Sequence, residues 1–166
     1  MPVISGPTLL LGGFTLAHAL GSIADVDDLL CPLALVERQG DRELLRFEAD
    51  TQEEGISAGK EHLRANAMDA DRWAFAREGL LNLDGGKVDV MAVDLMDKTL
   101  LKPITLIQRY EPFARQGRFR VIGVPTIVID TVTQDRDVMN QLLPNIREGV
   151  QEHGMVAPLW SGWGGW

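Results

Sequence analysis

The segment Gly55-Ile56-Ser57-Ala58-Gly59 has the G-x-S-x-G spacing that sets a serine nucleophile on a tight strand-to-helix turn, beside backbone donors for an oxyanion. Downstream Asp130 or Asp137 and then His153 complete the chain order Ser, Asp, His. The context points elsewhere. Ser57 follows Thr51-Gln52-Glu53-Glu54, a helix start with a capping hydroxyl and early acids, where an elbow needs a buried strand. The small residues at 55–59 are therefore read as letting a helix pack closely on a sheet. Gly55 to Lys60 also misses the phosphate-loop pattern, which needs four residues between its glycines and a Ser or Thr after the lysine.

Metal ligation is equally poorly served. His18, His62 and His153 show no H-x-x-x-H spacing, and Cys31 is the single cysteine. Glu61 and His62 are adjacent on a helix and point to different faces. No metal and no cofactor are expected. Cys31, between Leu30 and Pro32, reads as a small buried apolar side chain in a reducing compartment. Among the carboxylates, Asp89 and Asp94 are five positions apart and face opposite sides of one strand, so they form no shared acid–base pair. Asp25, Asp27 and Asp28 read as an acidic helix end.

Binding is the other chemistry that the residues offer. The chain carries a net charge of −8, unevenly spread. Residues 1–37 hold four acids and no base, whereas residues 98–120 hold six bases and one acid. That basic stretch interleaves Arg109, Arg118 and Arg120 with Tyr110, Phe113 and Phe119, a pattern able to hold an anion or stack on bases. The competing reading is a solvated strand face paired with neighbouring acids, such as Asp89. Trp160, Trp163 and Trp166 recur every three residues in a glycine-rich tail. They dock on their own domain, on a second subunit or on a ligand, and tryptophan is enriched at interface centres.

These residues need a scaffold. With 166 residues, 45% apolar and 24% charged, the chain is an ordinary globular mixture large enough for one domain with its own core. Phe14, Leu16, Ala17, Leu20 and Ile23 outline a helix weakened by Gly12 and Gly13. Runs at 33–38 and 43–49 flank a glycine turn and predict a hairpin. A helix follows from Asp50 or Thr51 to about Asn66. Strands at 72–81 and 87–95 flank Asp84-Gly85-Gly86, and a second hairpin runs from 102–111 to 118–124, with 126–129 extending or kinking its last strand. Val138, Leu142, Ile146 and Val150 predict a final helix, kinked or split at Pro144. The order α-ββ-α-ββββ-α predicts an α+β fold: a mainly antiparallel sheet of about six strands with helices on one face. Residues 1–157 form the domain and 158–166 the tail.

Function follows as an expectation. The apolar run from Leu9 to Ala19 is too short and glycine-rich to span a bilayer, and no Lys or Arg precedes Arg38, so the chain reads as cytoplasmic. With no catalytic constellation, the favoured reading is a non-catalytic binding or protein-interaction domain, homodimeric, with the tail tryptophans and a sheet edge or face as contacts. Its acidity is compatible with a basic protein partner. The alternatives are an enzyme or small-molecule binder holding an anion on the 102–120 hairpin through Arg109, Arg118 and Arg120, and a nucleic-acid binder on that hairpin, which the overall acidity disfavours.

Overall fold

A computed structural model describes residues 3–166, apart from the side chains of Arg115 and Gln116, so that part of the basic stretch lies outside the described residues. The elements run α1 (Gly6–Ile23), β1 (Leu33–Arg38), β2 (Asp41–Arg46), α2 (Gln52–Asn66), β3 (Arg72–Leu83), β4 (Gly86–Asp97) and β5 (Ile104–Glu111). There follow a single turn α3 (Phe113–Gln116), β6 (Arg120–Ile129), β7 (Val132–Thr133), α4 (Arg136–Glu152) and a short α5 (Ala157–Trp160). The strands form one sheet in the order β2-β1-β3-β4-β5-β6-β7, with every neighbouring pair antiparallel. The α+β class is as expected, with seven strands in place of about six. The extra strand is β7, reached through Asp130 and Thr131, both in the left-handed region at φ 50° and 68°. A turn without glycine carries little sequence signal for such a conformation.

The helices lie on both faces, not one. Alternation along the strands sends Leu33, Leu35, Ala74, Ala76, Met91, Val93, Leu95 and Leu106 into the main core with α1 and α4. It sends Ala34, Val36 and Phe75 into a second cluster with Leu63 and Ala67 of α2. Gly55 and Gly59 set the approach of α2. A Cβ on Gly59 would stand 2.4 Å from the Phe75 ring, and one on Gly55 2.8 Å from the Phe47 carbonyl. This is the close packing that the small residues at 55–59 suggested. Thr51 caps α2 by accepting from the Glu54 amide.

Two helix expectations change. The α1 helix begins at Gly6, capped by Ser5, and runs through Gly12 and Gly13. The α4 helix is one segment through Pro144. Tertiary contact overrides propensity here: a Cβ on Gly13 would sit 1.9 Å from the Ile146 carbonyl oxygen, and one on Gly149 2.0 Å from that of Leu10. The two helices touch backbone to backbone, so glycine is required where propensity disfavours it.

Candidate functional site

The two sheet faces are covered unequally. On the main-core face α1 and α4 are joined by the C-terminal tail, which packs around Tyr110, Phe119 and Val121 on β5 and its link to β6. On the other face α2 packs with residues of β1 and β3 and with Leu45 of β2. Alternation places Trp73, Arg77, Asp94, Met96, Thr105, Ile107, Arg109, Thr126 and Val128 on this second face, most of them half-buried.

A groove of about 810 Å³ opens where α2 ends and the bare sheet begins. Its wall is Lys60, Leu63 and Arg64 of α2 with the C-cap Ala67, and its floor is Trp73, Arg77, Asp94, Met96 and Thr105. The turn carrying Leu100 and Pro103 closes one end. Most of the lining is apolar, with polar groups at a few points, the usual make-up of a binding cleft. Met68, on the rim, is 86% exposed, and Leu101, between two lining residues, is fully exposed.

The polar groups around the groove pair largely with one another, the buried Arg72 Nε excepted. The Arg77 guanidinium grips Asp94 through two bonds of 3.2 Å, and the Thr105 hydroxyl donates to the same carboxylate at 2.7 Å. Arg72 pairs with Glu37, Lys98 with Asp71 and Arg64 with Glu61. Burial pulls the Asp97 carboxyl upward, but hydrogen bonds from Thr8 and Thr99 outweigh it and hold it below the usual carboxylate range. Three exposed cations on this face stand apart: among the described residues none of Lys60, Arg109 and Arg120 makes an ion pair.

A second cavity of about 510 Å³ lies on the other face, lined by Asp27, Asp28, Gln52, Glu78, Asp89 and Tyr110 among others. Burial raises the Glu78 carboxyl, against hydrogen bonds from the Leu30 amide and the Tyr110 hydroxyl at 3.0 and 2.9 Å. Among the described residues no group of three or more His, Cys, Asp or Glu side chains is placed to hold a metal ion.

The residues singled out from sequence are dispersed. Ser57 is exposed on α2, while His153 lies on the opposite sheet face with His18, so no Ser–His pair is assembled. Arg109 and Arg120 share the open face of the β5–β6 hairpin, with Arg120 opposite Glu111. Arg118 is exposed just before β6, and buried Phe119 separates it from Arg120. The three arginines line neither cavity. Trp160 is buried, and Trp163 and Trp166 pack against the main core. The Trp163 carbonyl accepts from the Val121 amide at 2.7 Å, so the tail caps part of the β6 edge. The tail is thus seated on its own domain.

The groove residues Lys60, Trp73 and Met96, and Ile107 on the same open face, were not marked from sequence as a site. The available signal was that β3, β4 and β5 carry large apolar residues on both faces, while the chain supplies only one helix for the second face. Compared with models of protein families, with characterised proteins and with solved structures, the chain matches none. The site therefore rests on its own geometry. Among the described residues no helix is long and apolar enough to cross a membrane.

Proposed function

We propose that this chain is a non-catalytic protein-interaction domain whose partner-binding surface is the open half of the sheet beside α2. The observation that carries this reading is the mostly apolar groove lining with the exposed Met68 at its rim, beside a turn that supplies Leu100 and Pro103 to the lining and leaves Leu101 fully exposed. A small molecule held in the groove leaves Leu101, outside the lining, in water. A protein surface covers it together with Met68, as apolar patches rimmed by charge generally require. Trp73 on the floor is the residue type that supplies most energy at interface centres. Self-association is the form this reading takes when the partner is a second copy.

The test places a photo-crosslinking amino acid at Ile107, on the open face, and at Leu159, in the tail, in the chain's native cells. A discrete protein adduct from position 107 alone is expected. Its identity is then checked with the purified partner, or with the purified chain itself if the adduct is a dimer, and Ile107→Glu abolishes binding without changing the circular dichroism spectrum. The reading fails if position 107 gives no protein adduct, and equally if native mass spectrometry finds a retained small molecule that Trp73→Ala releases.

A further inference from the structure

We infer that the element received on the open face is an amphipathic α-helix with carboxylates flanking its apolar stripe, lying beside α2 over β4, β5 and β6. The inference rests on the interaction reading above and adds the conformation and charge of the partner element.

Hydrogen bonding decides the conformation. β4 and β5 are interior strands paired on both sides, so an extended segment finds no free main-chain groups over the groove floor. At the β6 edge, the tail occupies the Val121 amide, Gly123 turns to positive φ and Pro125 has no N–H. That edge is a poor template for strand addition. A segment laid across a sheet face must satisfy its own amides, which a helix does.

Width agrees. Strands about 4.8 Å apart make the reach from β4 to β6 roughly 10 Å, close to the girth of one helix. The main-core face shows the same requirement met within the chain, where α1, α4 and the tail together cover the sheet. Among the described residues the second face has α2 as its one covering helix, and Trp73, Met96, Ile107 and Val128 remain half-covered.

Charge sets the flanks. Lys60 stands on the α2 wall and Arg109 on the β5 side, both exposed and without an ion pair among the described residues. Lys60 on α2 and Arg109 and Arg120 on the β5–β6 hairpin adjoin the apolar strip from different elements, so acidic residues flanking an apolar stripe meet them. The chain's overall −8 favours a basic partner at long range. At physiological salt charges are screened beyond about 8 Å, so the local cations govern contact.

The experiment displays a random library of peptides about 20 residues long, selected on the full chain and counter-selected on Ile107→Glu. Retained sequences are expected to carry apolar residues at i, i+3, i+4 and i+7 with Asp or Glu beside them, and to gain helical circular dichroism on binding. Lys60→Glu and Arg109→Glu, both at exposed positions, should each weaken these peptides by roughly tenfold. Recovery of alternating extended sequences, or of sequences with basic flanks, overturns the helix inference and leaves the interaction face standing. Recovery of no sequence that distinguishes the chain from Ile107→Glu overturns both.

Discussion

Gln108 is fully buried at the point where the pairing of β5 with β6 slips register. Its amide nitrogen donates to the carbonyls of Arg109, Ile122 and Gly123, at 3.0–3.1 Å, and so satisfies the backbone that the irregularity leaves unpaired. Its carbonyl oxygen has one donor, the Trp166 indole at 2.7 Å. Trp166 in turn accepts from the Trp160 indole through its main-chain oxygen at 2.9 Å. The tail tryptophans thus complete a buried polar network as well as filling space. Trp166→Phe keeps most of the apolar area but orphans the Gln108 oxygen, and should cost about 1–3 kcal/mol in chemical denaturation. A loss within a few tenths of a kcal/mol would show that the tail is held by packing alone.

At the scale of elements, the α1–α4 contact depends on two glycines facing carbonyls of the opposite helix. Gly13→Ala or Gly149→Ala must push the helix backbones apart and should destabilise by about 3 kcal/mol or more. Gly85→Ala, in an open turn with nothing within 4 Å, is the control and should fall within about 0.5 kcal/mol of the native chain. Equal effects at the two kinds of site, read from urea midpoints, would reject the close-contact account. The β2 edge is guarded in part by its charges. A two-fold antiparallel pairing with a second copy must set some residue opposite itself, because the two pair types alternate along the ladder. Centred on Arg42 or Glu43, the axis places that charge against its twin; centred on Leu44, it places Arg42 against Arg46. These three arrangements oppose like charges, which weakens them, whereas one centred on Leu45 sets Leu44 against Arg46 and opposes none.

At the scale of the whole molecule, α1, α4 and the tail meet at a histidine pair. The Val156 amide donates to His153 Nδ1 at 3.3 Å, which leaves the His153 proton on Nε2, 3.1 Å from His18 Nδ1. Either imidazole must give up one of these bonds to take another proton. Burial lowers the pKa of both histidines, and for His18 the neighbouring His153 and Arg46 act in the same direction; Arg42 and Glu152 are the other charges nearby. In the window below 6.5, the unfolded chain therefore binds protons that the native state refuses, and stability falls as pH falls. Glu78 has the opposite sign: its raised pKa favours the native state at low pH, and this is lost as pH rises above 4.5. Melting temperature should drop between about pH 7.5 and pH 5.5, and drop less in His18→Gln. Parallel slopes for the two chains would remove the pair as the source.

Alternation and turn chemistry on β1 to β6 were readable along the chain because each is a local property. Thr51 and Asn66 bound α2 as expected, and Asp84-Gly85 turns β3 into β4. The close packing of α1 on α4 was not readable, because the reasons for Gly13 and Gly149 each lie in a helix more than a hundred residues away. The candidate site was less legible still. Arg109 was visible as a cation, but its relation to Lys60, Trp73, Met96 and Ile107 depends on strand order and on which face α2 covers. Sequence by itself determined the α+β class and the antiparallel hairpins, since these follow from period and turn residues. Only the tertiary structure decided that the tail tryptophans close one sheet face and that α2 leaves half of the other open, because the covering of a surface depends on contacts between distant segments.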